Sequence, residues 1–186
     1  NRAGMSDLLA TYRQFVARID AHAQRVSDAH AAQLACEAGC SGCCHRDLTV
    51  FPVEAAAIAA WIEAEQPDLS PTQAPTVSPR ALQVLELDGA RPCAMLDHDG
   101  LCRIYPVRPL ICRTHGLPLA IPDEDGVYGD ICPLSFDGGQ GLTDLPSEDF
   151  LSLETVNTVL AALNAQFTQA TGGPQQRVAL QQLSSQ

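Results

Sequence analysis

The chain has no lysine: all 11 of its basic residues are arginine, set against 22 acidic ones. The net charge of −11 repels a phosphate backbone and is equally ill matched to an anionic membrane surface. Nucleic acid and membrane are therefore not expected as partners. Long apolar runs are missing too. The longest, Ala55 to Ile62, falls far short of the ~20 apolar residues that a spanning helix requires. The N-terminal residues lack the charged, apolar and small-residue order of a signal peptide, so the expected location is the cytoplasm. Asn1 to Gly4, ahead of Met5, are left out of the reading. There is a single tryptophan, Trp61, expected in the core rather than as a binding platform. No G-x-G-x-x-G nucleotide loop is present, and no Ser/His/Asp or paired-carboxylate arrangement marks a catalytic apparatus.

What the chain does have is cysteine. Four of its eight sulfurs fall within nine positions, Cys36-Glu37-Ala38-Gly39-Cys40-Ser41-Gly42-Cys43-Cys44. Glycine accepts positive φ, so this stretch is suited to curl and aim its side chains at one point. Cys93, Cys102, Cys112 and Cys132 follow. A chain of 186 residues is long enough to bury a core without covalent staples. The cysteines are therefore not explained by a shortage of apolar surface.

Around them the pattern is mainly helical. An apolar stripe of Leu8, Tyr12, Phe15, Ile19, Val26 and His30 predicts a helix from Met5 to about Leu34, with Ser6 as N-cap and Gly39 past its end. His22 and His30 on it are expected as half-buried helix residues rather than ligands. Pro52 opens a second helix, to about Glu65, packed through Ile58, Trp61 and Ile62. Four prolines between Gln66 and Pro79 mark a surface linker. Ser78-Pro79 opens a short helix to about Leu87, stopped by Asp88-Gly89. Two acidic turns, Asp97-His98-Asp99-Gly100 and Asp123-Glu124-Asp125-Gly126, predict hairpins joining 93–96 to 101–105 and 117–121 to 127–131. Neither turn has the spacing of an EF-hand loop. Ser147 is the expected cap of a long helix from about Glu148 to Thr171, with Phe150, Leu153, Val156, Val159, Leu160, Leu163 and Phe167 on its apolar face. Gly172-Gly173-Pro174 ends it, and a frayed tail with a short turn near Val178 to Leu183 is expected.

The cysteine spacing, C-x3-C-x2-C-C and then single cysteines, points to a metal. Soft thiolates select zinc, Cu(I) or iron–sulfur clusters over hard ions. A structural zinc takes four ligands in a tetrahedron, often from C-x2-C pairs such as Cys40 and Cys43. Neighbouring side chains diverge, so Cys43 and Cys44 are expected to serve different metals, or one of them to bridge. Cys36, Cys40 and Cys43 also carry the three-cysteine spacing of radical-SAM enzymes, without the larger βα scaffold these need. A [4Fe–4S] cluster is thus sterically compatible. Arg46, Arg91, Arg103, Arg108 and Arg113 lie near cysteines in sequence, where guanidinium groups can hydrogen-bond thiolate sulfur. His45 and His115 are the substitutes for a sulfur ligand. Tyr105 is expected in the core. An even cysteine count also fits a secreted scaffold of four disulfides, but a reducing cytoplasm and the strained short loops of the first block favour metal.

The same residues carry a resemblance. The Cys36–Cys44 block, followed by Cys93-x8-Cys102-Arg103-Ile104-Tyr105-Pro106-Val107-Arg108-Pro109-Leu110-Ile111-Cys112-Arg113 and then Cys132-Pro133, resembles the bacterial CxxCxxCC family, described as zinc- or iron-chelating. The first gap here is three residues, where the family name specifies two. The resemblance implies chelation of zinc or iron and supplies no reaction. A similar cysteine block is associated with flagellin lysine methylases, which keeps an accessory role in methyl transfer among the alternatives.

The expectation is thus a mainly α, small irregular helical domain with short β-hairpins around a cysteine-rich metal centre. It runs over 5–171, with its core at 36–133 and a tail at 172–186. The candidate ligands are Cys36, Cys40, Cys43, Cys44, Cys93, Cys102, Cys112 and Cys132, holding zinc or iron in one or two centres. The metal ion is the expected partner, in a structural, metal-handling or sensing role. An iron–sulfur redox protein or enzyme, and a disulfide scaffold, are the alternatives.

Overall fold

A computed structural model describes residues 2–71, 73, 77, 79–86, 91–139 and 141–185. It is mainly helical, with short strands, as the pattern predicts. Helix α1 runs Arg2–Ala29, α2 Pro52–Glu65, α3 Pro79–Val84, α4 Leu110–Thr114, α5 Phe136–Gly139 and α6 Leu153–Thr171. Strand β1 is Thr49–Val50, β2 Leu119–Asp123, β3 Gly126–Asp130, β4 Leu151–Ser152 and β5 Val178–Ala179. Among the described residues no helix is long and apolar enough to cross a membrane.

The main core lies where α1, α2 and α6 meet. Leu9, Tyr12, Val16 and Ile19 of α1 pack with Val53 and Ala57 of α2, Leu110 of α4, and Val156, Leu160, Leu163 and Phe167 of α6. The face of α6 is the predicted one. On α1, Leu8 and Phe15 sit at the edge of the core while Leu9 and Val16 fill it, so the stripe is turned by one residue. A second cluster on the far side of α2 joins Val50, Ala55, Ile58, Met95, Ile104, Leu180 and Leu183. Trp61 and Ile62 are partly buried against it. Leu180 and Leu183, within the short turn expected near Val178 to Leu183, thus pack inside the protein. Strand β5 pairs antiparallel with β1, Thr49 opposite Ala179. Arg177 hydrogen-bonds Thr49 Oγ1 and O, and its guanidinium lies 4.3 Å from the centre of the Phe51 ring.

Two helix boundaries differ from expectation for tertiary reasons. Helix α1 stops at Ala29, and Ser6 lies inside it. There the His30 Nε2–H donates to Asp149 Oδ2 at 2.7 Å, and Arg25 also pairs with Asp149. The chain then hooks onto a distant loop, with Phe136 N–H donating to Gln33 O at 2.8 Å. Helix α6 begins at Leu153, capped by Ser152, whose Oγ accepts from Thr155 N–H at 3.2 Å. Ser147 starts only a 3-10 turn. Leu151 leaves it to pair with β2 in parallel, donating its N–H to Pro118 O at 2.9 Å. Helix α2 matches its predicted bounds because Pro52 fits the first turn and Gln66 closes it in the left-handed region. The second predicted hairpin forms as β2 and β3, with Ile121 opposite Tyr128. The first is reduced to one bridge, Leu96 with Cys102. The predicted stop at Asp88-Gly89 lies outside the described residues, and α3 is described to Val84.

The carboxylate of Glu54 links frame to site. It is 2% exposed. One oxygen accepts Phe51 N–H at 2.9 Å at the head of α2, and the other accepts Leu110 N–H at 3.0 Å at the head of α4. Helix termini leave such donors without partners inside the helix, so this one buried group satisfies two of them. Burial pushes its pKa up, against the two N–H bonds that hold it down. Helix α4 carries Cys112, so its placement depends on Glu54.

Candidate metal centre

Backbone hydrogen bonds bring the two cysteine regions together. Gly39, at φ +88°, turns the chain after Cys36, and Cys40 N–H closes back on Glu37 O at 3.0 Å. A 3-10 turn over Gly42–Cys44 follows. Gly42 lies close against the neighbouring segment, where a Cβ would meet the end of the Leu85 side chain and push it aside. Cys93 N–H donates to Cys44 O at 2.7 Å, stitching the first block to the second. Arg103 N–H then bonds Met95 O at 2.8 Å, setting Cys93 and Cys102 on facing arms. A 3-10 turn at Tyr105–Val107 leads into α4 with Cys112. Cys132 is buried beside Ala81 and Leu85.

All eight cysteines are free thiols. Their electrostatic neighbours are one another. The Cys36 sulfur is pushed up to about 12, first by burial and then by Cys40, Cys132 and Cys43. Although the Cys36 residue is exposed as a whole, its Sγ lies where a Cβ on Gly116 would stand. Gly116, at φ +94°, thus opens room for this sulfur by having no side chain. Cys112 is likewise pushed up to about 12, by burial and by Cys102, Cys43 and Cys93. Burial also raises Cys40, Cys93, Cys102 and Cys132. The adjacent pair behaves differently. Cys44 donates its S–H to Cys43, which lowers Cys43 and raises Cys44. Cys43 is thereby the sulfur best prepared to be a thiolate.

Among the described residues, no group of three or more His, Cys, Asp or Glu is gathered as a ready-made metal site. The donor chemistry suits a soft cation, since each of the eight thiols has at least one other thiol as an electrostatic neighbour.

Those arginines divide. Arg108 faces Cys36, Cys43, Cys102 and Cys112, favouring the thiolate form of each. Its Nε is buried with no hydrogen-bond partner, and its guanidinium stacks 4.0 Å from the centre of the Tyr105 ring. Arg103 faces Cys93 and Cys102 while clamping Asp68 O, Ser70 O and Ala94 O. Arg46 faces Cys43. Arg113 is committed elsewhere, to Asp20 and to the carbonyls of Arg108 and Pro106. Arg91 pairs with Asp47 at 3.7 Å on the surface. Tyr105 is a correction: it is 57% exposed, serving as the platform for Arg108 rather than as core.

The histidines also divide. His45 is buried, and its Nδ1–H donates to Ser41 O at 3.0 Å, which leaves Nε2 as the nitrogen with a free lone pair. His115 is exposed, near Arg46 and Asp130. His30 is engaged with Asp149, and half-buried His22 lies beside Arg25. The reading from sequence did not find Gly116, Glu54 or the Ser41 carbonyl. Only the glycine left a signal, as a glycine four residues after Cys112.

Fold and site together define a small, mainly helical protein organised around a cluster of thiols. The family model for CxxCxxCC, a putative zinc- or iron-chelating domain, matches residues 35–133, a little more than half of the chain. The chain belongs to this family. No curated protein and no solved structure matches it.

Proposed function

We propose that this protein binds zinc or iron through cysteine thiolates, and that the metal holds its loop-built cysteine region in one conformation. The ligands are Cys36, Cys40, Cys43, Cys44, Cys93, Cys102, Cys112 and Cys132. The observation that carries the reading is the meeting of Cys36–Cys44 with the four later cysteines, far apart in sequence and mutually close enough to raise one another's pKa. Thiolates select a soft cation, and a metal bound only by the folded chain adds its binding energy to folding. Arg108 and Arg103 offset the negative charge that ligation creates. A reducing compartment, the cytoplasm, suits eight free thiols.

The test is anaerobic purification followed by zinc, iron and acid-labile sulfide analysis, with thermal unfolding before and after metal removal. A colourless protein with stoichiometric zinc and a metal-dependent Tm is the expected structural case. Brown colour with labile sulfide would move the reading to an iron–sulfur protein. Cys43→Ser and Cys112→Ser should each lower metal content and Tm together. Full metal content in both variants would overturn the ligand assignment.

A further inference from the structure

The three-stranded sheet runs β3, β2, β4, so it has two edges. One, β4, is two residues long and leads directly into α6. The other, β3, is five residues long, and every one of them is exposed. Its register shows which backbone groups are free. Asp123 and Gly126 close a two-residue turn as a hydrogen-bonded pair, so by alternation Ile121–Tyr128 and Leu119–Asp130 are hydrogen-bonded pairs too. Pro122, which has no N–H to give, stands opposite Val127 in a non-hydrogen-bonded pair. Val127 and Gly129 therefore turn their N–H and C=O groups away from β2. Among the described residues, no main-chain bond from another segment reaches those groups.

Such an edge is commonly blunted by lysine, proline or a bulge. This chain has no lysine, and β3 has neither a proline nor an extra residue in its pairing. Val127 is 71% exposed, the most of any large apolar residue described, and Tyr128, on the opposite face of the sheet, is 48% exposed. At Gly129 a Cβ would stand 2.9 Å from the Phe150 ring, so the strand is backed by the body of the protein. Acid flanks it at both ends, Asp123, Glu124 and Asp125 in the turn and Asp130 at the far end, with no arginine between Leu119 and Asp130.

We propose that the outer edge of β3 is a docking site for an extended basic segment of a partner protein, which adds to the sheet as a further strand. Main-chain bonds to Val127 and Gly129 hold it, Val127 and Tyr128 give it an apolar contact on each face, and arginine or lysine side chains meet the acids at the two ends. A second copy of this chain is the poorer occupant. Pairing β3 with itself, in either direction, sets acid beside acid in a chain of net charge −11. The site does not depend on whether the thiols hold metal.

The test uses the full chain under reducing conditions and a fluorescein-labelled peptide of about seven residues that alternates arginine with valine. Fluorescence anisotropy should show saturable binding that weakens as salt rises. The same peptide N-methylated along its backbone keeps its charge and loses its donors, and it should bind about tenfold more weakly or worse. Val127→Pro removes an outward N–H without touching the ladder to β2, and should weaken binding by a similar factor. Glu124→Gln combined with Asp130→Asn should weaken it by about threefold. Equal binding of the methylated peptide, or of a peptide alternating glutamate with valine, would overturn the proposal, as would no binding at all. A dimer of the chain alone that Val127→Pro abolishes would give the edge to a second copy and overturn it too. To guard against a variant with a disturbed hairpin, amide hydrogen exchange is also read on the wild type. Slower exchange at Val127 and Gly129 on addition of the arginine–valine peptide supports the added strand, and unchanged exchange at both overturns it.

Discussion

Between α1, α2 and α6 the side chains that touch are Leu, Ile, Val, Tyr and Phe, all buried, in helices of 28, 14 and 19 residues. Around the cysteines themselves the elements are short 3-10 turns, an isolated bridge and the five-residue α4, and backbone hydrogen bonds join them. The first region is stabilised by removing apolar surface from water, which requires no ligand. The second sets its sulfurs against smaller apolar clusters, Cys93 and Cys102 against the one that holds Met95 and Ile104, and Cys132 with Ala81 and Leu85. Its sulfurs are either neutral neighbours or, once deprotonated, charges that repel unless a cation sits among them. A helical frame that folds alone, supporting a site that a metal completes, is the division of labour this suggests.

That contrast can be broken at three places. Phe167→Ala removes a buried ring from the frame and should cost about 3–5 kcal/mol. Denaturant titration of the metal-loaded chain measures it, and zinc per folded molecule should stay unchanged. A matching loss of metal would show that frame and site are not separable. Glu54→Ala acts at the link between them. It leaves the Phe51 and Leu110 N–H groups without their acceptor, at ~1–3 kcal/mol each, so roughly 2–6 kcal/mol is expected. Here stability and metal retention should fall together, because Leu110 begins the helix that carries Cys112; thermal unfolding alongside zinc analysis checks both.

The smallest effect is expected at Asp149→Asn, about 1–2 kcal/mol from weakened charge-assisted bonds. Hydrogen bonds from His30 and then Arg25 hold the Asp149 carboxyl below its ordinary value of 3.8. A depressed folded-state pKa gives stability that is fully present above the unfolded value and lost as pH falls through the folded one. The gap between wild type and variant should therefore be constant at neutral pH and shrink below pH ~4. Chemical unfolding at several pH values would read this, and a gap that widens with acid would refute the assignment.

Much of the frame was legible in the sequence because it obeys local rules. Pro52 and the apolar run behind it define α2, and the Val156–Leu160–Leu163–Phe167 face defines the buried side of α6. The misjudged ends are those where a distant partner overrides a local signal. Ser147 has the chemistry of an N-cap, yet Leu151 is drawn into a pairing with β2 before the helix starts. Leu34 continues a helical pattern, yet Gln33 is claimed by Phe136. In the site, the cysteines were visible as a list and as a spacing. The position of Arg108 among four of them was not, since Cys36 and Cys43 reach it only through the folded chain. Tyr105 was expected in the core rather than as a reacting group, whereas its ring supports that guanidinium at the surface.

Helices α1 and α6 pack on each other while lying on opposite sides of the cysteine region in the chain. During synthesis the N-terminal parts emerge first. All the sulfurs therefore leave the ribosome before α6 is available to close the bundle. For that interval the nascent protein presents its thiols to whatever oxidant or ion surrounds it, and early metal capture would shield them from the irreversible steps of sulfur oxidation.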